Sequence, residues 1–134
     1  MTSGEIICVR TNAELLNKLL GKSYKAWMKS IYDLNDERIW MIHIDNTPRN
    51  DWKNYMNGDI IVEENLRPSD TTGLRSDVRH NVERIVFSKH DGYFVFEGKY
   101  RYERKKSKDS EIRYWVKISN QFLEGELLRK NSAL

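Results

Sequence analysis

The sequence has few cysteines, which can cross-link a small fold, and few prolines, which interrupt helices and strands: one cysteine and two prolines among 134 residues. A single thiol cannot form an internal disulfide, and because Cys8 stands in an apolar run we expect it to be buried. The longest apolar runs, such as 60–62 and 93–96, are far too short to cross a bilayer. The N-terminus also lacks a basic-then-apolar signal pattern, so a cytoplasmic location without a membrane partner is expected.

Sequence signatures of common catalytic sites are also missing. His43, His80 and His90 lie far apart, with no Cys, Asp or Glu at metal-ligand spacing, which argues against a zinc site. There is no nucleophile elbow, no glycine-rich phosphate-binding loop and no dinucleotide fingerprint. These absences argue against the usual hydrolases, NTPases and dehydrogenases, and no metal or cofactor is expected.

Hydrophobic residues make up 39% of the chain and charged residues 32%, which is the composition of one globular domain spanning 1–134. The net charge of +3 is too small for a wholly basic nucleic-acid coat protein. The charge is unevenly distributed, since residues 99–108 carry six Lys or Arg against one Glu. One positive edge is therefore expected on a nearly neutral molecule.

Helical patterns lie near both termini. Thr11 and Glu14 form a capping box that predicts the start of a leucine-rich helix, and Gly21 is expected to end this helix. Apolar residues at helical spacing predict a second helix after Ser23, with a buried face made by Trp27, Met28 and Ile31. A short helix is expected at 121–130.

The rest of the chain has the pattern of a β-sheet. Apolar alternation and turn signals predict strands at 6–9, 38–44, 59–63, 82–88, 93–104 and 111–118. Trp52 and Tyr55 lie three residues apart, which would put them on one side of a helical turn. We therefore expect an α+β domain with a mixed or antiparallel, strongly bent sheet, two N-terminal helices and a short C-terminal helix.

The strand at 93–104 has two distinct faces. Alternation places Phe94, Phe96 and Tyr100 on a core face, and Glu97 and Lys99 on the other face. Gly98 in its middle indicates a bulge or a close approach to the backbone.

Two surfaces could bind nucleic acid. In the first, a basic hairpin tip faces phosphates while nearby tyrosines stack on bases, through Arg101, Arg104, Lys105, Lys106, Tyr93 and Tyr114. The second combines Trp52 with Arg75 and Arg79 of a long polar loop at 64–81. The alternatives are a solvated hairpin for the first surface and a tryptophan that covers the core for the second.

Glu97-Gly98-Lys99 is an E-x-K arrangement on a strand, with Asp59 or Asp91 upstream, and it is similar to the restriction-type PD-(D/E)xK nucleases. In those enzymes two acidic groups hold a magnesium ion that activates water, and the lysine stabilises developing charge. The acidic residue in such sites begins the preceding strand, whereas Asp91 lies in a tight turn and Asp59 is far upstream. This arrangement therefore stays a secondary hypothesis.

The order of elements resembles the PUA-like superfamily of small β-barrels, which includes the SRA and EVE domains that recognise modified or flipped bases. The resemblance is carried by Trp52 ahead of Gly58-Asp59-Ile60-Ile61-Val62 and by the F-x-G-x-Y strand, here Phe96-Glu97-Gly98-Lys99-Tyr100. It implies a small barrel with a pocket, between the sheet and the 64–81 loop, that accepts a base. Trp52, Arg79, Tyr93 and Tyr100 would contact that base.

Three functions follow from these observations. The first is a non-enzymatic module that binds DNA or RNA and recognises a base or a modified base. The second is a protein-interaction factor of a phage or defence system, whose aromatic and charged surface meets a protein partner. The third is the magnesium-dependent nuclease. Phosphate contacts would make binding fall steeply with salt in the first case.

Overall fold

A computed structural model of the protein describes residues 1–67, 82–107 and 111–133. The strands are β1 (Ile6–Ile7), β2 (Ile31–Asp33), β3 (Glu37–Ile42), β4 (Trp52–Asn57), β5 (Ile60–Asn65), β6 (Glu83–His90), β7 (Tyr93–Tyr102) and β8 (Ile112–Ser119). The helices are α1 (Asn12–Leu20) and α2 (Glu124–Ala133). The α+β class expected from the sequence is confirmed.

One mixed sheet organises these strands in the order β2-β3-β6-β7-β8-β5-β4, with β1 added beside β7. The pair β3–β6 is parallel and the other strand pairs are antiparallel. In the parts of the chain that the structure describes, the end strands β2 and β4 do not pair with each other, so the sheet is not a closed barrel.

Helix α1 forms as its capping box predicts. The Thr11 side chain accepts a hydrogen bond from the Glu14 backbone N–H at 3.1 Å, and Gly21 adopts a left-handed conformation that ends the helix. The buried face carries Leu15, Leu16 and other apolar residues. Helix α2 confirms the expected C-terminal helix and buries Leu127.

The second N-terminal helix expected after Ser23 is wrong. Residues 21–30 form a loop in which the Asn17 side chain hydrogen bonds the Tyr24 backbone twice, at 2.7 and 2.9 Å. These side-chain hydrogen bonds stabilise a loop in place of the expected helix. Met28 consequently lies in solvent instead of on a buried face. Ile31 begins strand β2.

Trp52 and Tyr55 both lie on strand β4, so the helical turn that would have put them on one side does not form. Asn50 and Asp51 both have positive φ and form a tight turn closed by hydrogen bonds between the Arg49 and Trp52 backbones at 2.7 and 2.9 Å. Turns with two left-handed residues match the twist of paired strands. A strand can therefore begin directly after this turn, at Trp52.

Two apolar cores lie on opposite faces of the sheet. The larger one packs α1 and α2 on Ile39, Phe87 and their neighbours, and the smaller one surrounds Trp40 and Trp115. Strand β3 alternates between the two cores, which confirms that it is covered on both faces. Cys8 was expected in the core and is exposed instead.

The single core face expected for strand β7 is wrong, because its buried side chains change from one face of the sheet to the other at Gly98. Phe94 and Phe96 are fully buried in the larger core and Tyr100 in the smaller core, while Val95, Glu97 and Lys99 are partly accessible. Gly98 has a φ of 136°, and the pairing register of β7 with β8 shifts between Lys99 and Tyr100. Irregularities of this kind bend a strand and increase its local twist. Neither described helix is long and apolar enough to cross a membrane.

Candidate functional site

A cleft of about 900 Å³ lies between the two ends of the open sheet. One wall comes from β2, β3 and the loop before them, and the other comes from β4, β5 and β8. Its aromatic and polar lining includes Tyr24, Trp27, Trp40, His43, Trp52, Asn54, Glu63 and Arg113. The cleft therefore occupies the seam that pairing of β2 with β4 would have closed.

Beside the cleft, the smaller core is built around a buried cation. The Arg84 guanidinium carbon lies 3.8 Å from the ring centre of Trp115 and 4.5 Å from that of Trp40. The residue is 1% exposed, and the two indole rings are 5.6 Å apart. Cation–π contacts of this kind are strongest when desolvated, so Arg84 fixes the Trp40 ring that lines the cleft.

A carboxylate on the β5 wall is held by two donors. Arg113 Nη1 donates to Glu63 Oε1 at 3.3 Å, and Trp115 Nε1 donates to the same oxygen at 3.2 Å. Glu63 and Arg113 are direct cross-strand partners, and both side chains are largely buried. The Arg113 guanidinium also lies 5.3 Å from the ring centre of Trp52. These contacts hold a charge pair and an indole ring beside one another in the cleft.

Three aromatic rings form the opposite rim. Trp27 lies 4.9 Å from Tyr32 and 5.2 Å from Tyr24, measured between ring centres. The hydroxyls of Tyr24 and Tyr32 are 2.8 Å apart. Burial and this hydrogen bond raise the pKa of Tyr32 to about 12, so the Tyr32 phenol is neutral at physiological pH.

His43 lies where the cleft meets a second groove that contains Lys89 and His90. The Asn54 side-chain amide donates to the His43 carbonyl at 3.5 Å, which joins the two walls. Arg49 pairs with Asp45 through contacts of 2.6 and 2.8 Å, and this hydrogen bonding holds the pKa of Asp45 far below its ordinary value. Burial, with the positive charge of Arg49, lowers the pKa of His43.

The lowered pKa of His43 predicts a loss of stability in acid. Below about pH 6.5 this histidine binds a proton more readily in the unfolded chain than in the folded chain. The free energy of unfolding therefore decreases as the pH is lowered. That free energy should fall less between pH 7 and pH 5 in His43→Gln than in the parent, as measured by urea unfolding. Equal pH slopes in the two proteins would contradict this prediction.

The structure separates the residues that the sequence grouped into a nucleic-acid surface. Trp52 lines the cleft, but Tyr93 is outside it and stacks on His90 with ring centres 4.8 Å apart. Tyr100 is fully buried in the smaller core and Tyr114 is half-buried on β8. The exposed hairpin tip carries Arg101, Arg104, Lys105 and Lys106, none of which lines the cleft. Arg75 and Arg79 lie outside the described residues.

The three residues of the nuclease hypothesis contact different partners. Lys99 pairs with Glu37 at 2.9 Å, and Glu97 accepts a hydrogen bond from the Ser88 hydroxyl at 2.6 Å. Asp59 is highly exposed and lies 4.0 Å from the Lys117 ammonium. Within the described ranges, no group of three or more His, Cys, Asp or Glu side chains is placed to hold a metal ion.

The sequence did not predict that Glu63, Asn54 and Arg113 line the cleft. The alternation of β8 puts Arg113 on the same face as the buried Trp115, and this was the available signal that Arg113 points inward. Pairing Glu63 with Arg113 depends on the β5–β8 register, which no local pattern gives.

Comparison with known proteins agrees with the architecture. The 5-hydroxymethylcytosine-specific restriction enzyme AbaSI has a similar fold, with a TM-score of 0.59 and 21% sequence identity. The similarity covers 87% of this chain and 39% of the enzyme. No curated protein sequence matches this chain significantly. The sequence profile of the SET and RING associated (SRA) domain matches residues 1–123, so the chain belongs to the SRA family.

Proposed function

We propose that this chain is a DNA-binding module that recognises a modified base, and that the cleft between the two ends of its sheet receives the base. Membership in the SRA family supports the general function, since it agrees with the resemblance to domains that recognise modified or flipped bases. The observation that carries the proposal is an open cleft whose lining contains the indole rings of Trp27, Trp40 and Trp52 and the Glu63 carboxylate, which two donors hold in place.

The cleft has the chemistry that an unstacked base requires. Aromatic rings replace the stacking that a base loses when it leaves the duplex, and Trp52 offers a partly accessible ring for this purpose. Glu63 Oε1 accepts both of the hydrogen bonds from Arg113 and Trp115. The second carboxylate oxygen, Oε2, can therefore accept a hydrogen bond from the exocyclic amino group of a cytosine. A volume of about 900 Å³ leaves room for a substituent on the base.

The hairpin tip supports the proposal by its charge. Arg104, Lys105 and Lys106 are exposed on the turn that joins β7 to β8, and β8 carries Arg113 into the cleft. Cations in this position can neutralise phosphates beside the extruded nucleotide. The tip then supplies salt-dependent affinity and the cleft supplies selectivity, because phosphate contacts carry no sequence information.

Equilibrium binding to short duplexes tests the function. The duplexes differ at one position, which holds cytosine, 5-methylcytosine or 5-hydroxymethylcytosine, and AbaSI motivates the third. We expect at least one modified duplex to bind about tenfold or more tightly than the unmodified one, a difference of about 1.4 kcal/mol. Affinity for all duplexes should fall steeply as salt rises.

The similarity covers only 39% of AbaSI, so we propose DNA binding for this chain and no cleavage activity. An unmodified RNA or single-stranded DNA of the same sequence serves as the control for non-specific binding. Equal affinity for modified and unmodified duplexes over the whole salt range would refute modified-base recognition, even if the hairpin tip still binds DNA.

A further inference from the structure

The second groove has a volume of about 900 Å³ and contains neither Trp52 nor Glu63 in its lining. Its walls come from the start of α1, the loop after β3 and the turn between β6 and β7. His43 and Arg49 line both this groove and the cleft. A DNA strand that places a base in the cleft therefore has the second groove directly beside it.

Basic side chains converge in the second groove. Lys89 is half-buried, and its ammonium group donates to the Asn12 side-chain oxygen at 3.4 Å. Burial is the main reason that the pKa of His43 is lowered, and neighbouring positive charges lower it further. Those charges belong to Arg49, Lys89 and His90, so the four side chains lie close enough to interact. Such a cluster attracts an anion when its charge is not cancelled.

Carboxylates offset this positive charge in the free protein. Glu14 accepts a hydrogen bond from the Arg10 backbone N–H at 3.0 Å, and Asp91 is exposed in the turn between β6 and β7. Asp45 differs from both, because it lies directly on the hydrogen-bonding edge of the Arg49 guanidinium. Asp45 is therefore the carboxylate that decides whether this arginine can bind another anion.

The contact of Asp45 with Arg49 has the two-pronged geometry by which arginine also binds phosphate. Contacts of 2.6 and 2.8 Å join the two carboxylate oxygens to the two terminal guanidinium nitrogens. The Thr47 backbone N–H also donates to Asp45 at 3.2 Å, which holds the carboxylate in the loop. The Arg49 and Asp45 side chains are 41% and 49% exposed, and pairs with such exposure contribute little to stability. A phosphate can therefore replace Asp45 without disturbing the fold.

We propose that the second groove binds a backbone phosphate of the DNA strand whose base enters the cleft, and that Asp45 occupies the phosphate-binding edge of Arg49 in the free protein. This inference rests on the proposed DNA binding. The phosphate must displace a carboxylate before it gains the arginine, so Asp45 lowers the affinity for every duplex by the same factor. Binding without a modified base is thereby kept weak, and the contacts in the cleft decide which duplex stays bound.

The test compares Asp45→Asn with Asp51→Asn by titrating modified and unmodified duplexes over a range of salt concentrations. Asp51 is the matched control, because it is also 49% exposed and pairs with an arginine, Arg67, but lines neither the cleft nor the second groove. Asp45→Asn should tighten binding of both duplexes about five- to tenfold at low salt. It should also make the plot of log affinity against log salt steeper by about one, since one more phosphate is neutralised. Asp51→Asn should change affinity by less than about twofold.

Arg49→Gln tests whether the effect of Asp45 acts through this arginine. It should weaken both duplexes about equally and make the salt plot shallower by about one. In the Arg49→Gln background, Asp45→Asn should have no larger effect than Asp51→Asn has in the parent. A gain of about five- to tenfold that persists without Arg49 would overturn the proposal, because the gain would then come from net charge alone.

Inorganic phosphate and a nucleoside 5′-monophosphate are titrated in parallel, because they present the same oxygens as the DNA backbone. Tighter binding of either to Asp45→Asn, with duplex affinity unchanged, would overturn the backbone assignment in favour of a free phosphate ligand. Equal affinities of Asp45→Asn and the parent for all of these ligands would overturn the site itself. If modified and unmodified duplexes bind alike and both respond to Asp45→Asn as expected, modified-base recognition fails while the phosphate site stands.

Discussion

Trp52→Ala should weaken binding of the modified duplex by about 10- to 100-fold, which is the largest effect we expect from a single change in the cleft. Stacking of a base on an aromatic ring contributes about 1–3 kcal/mol per base. Trp52 is partly accessible and lies beside the Glu63–Arg113 pair, so its ring can stack on a base while the carboxylate contacts the base edge. Fluorescence anisotropy with labelled duplexes measures the change.

Tyr93→Ala is the matched control for Trp52→Ala. Both residues begin strands, and both were expected at the base on sequence grounds, but Tyr93 lies outside the cleft and stacks on His90. Its removal should change affinity by less than about twofold, within the range of an ordinary surface substitution. If Tyr93→Ala weakens modified-base binding as much as Trp52→Ala, the base binds elsewhere and the cleft is not the site.

The sheet could be predicted because its signals are local. Alternation along β7 places Phe94 and Phe96 inside, and the capping box of Thr11 and Glu14 starts α1 where the structure has it. Gly98 was correctly expected at an irregularity. Each of these features depends on residues a few positions apart, so the sequence pattern is enough.

The cleft could not be predicted in the same way, because tertiary contacts make it. Glu63 forms a hydrogen bond with Arg113, which is 50 residues away in the chain. The Asn17 side chain forms two hydrogen bonds with the Tyr24 backbone, in a segment whose sequence pattern is helical. Trp52 and Tyr93 were expected to converge, yet the strand order separates them. Register and strand order are properties of the assembled sheet, and no periodicity within one strand contains them.

Gly98→Ala should destabilise the fold by about 3 kcal/mol, the largest loss of stability that we expect from a small substitution. A β-carbon at this position would lie 2.7 Å from the Ser119 carbonyl oxygen and 3.2 Å from the Ser3 hydroxyl. The φ of 136° is also a conformation that side-chain-bearing residues rarely adopt. Since domains are stable by only about 5–15 kcal/mol, urea denaturation will resolve the change.

Gly58→Ala is a control for a positive φ at a position with open space. Gly58 also has a positive φ, of 61°, but a β-carbon there would meet no atom within 4 Å, so only the backbone strain of about 1 kcal/mol applies. The additional loss in Gly98→Ala then contains the contact with Ser119 together with the greater backbone strain of a φ of 136°. Equal losses in the two variants would mean that neither the close contact with Ser119 nor the φ of 136° adds a measurable cost at Gly98.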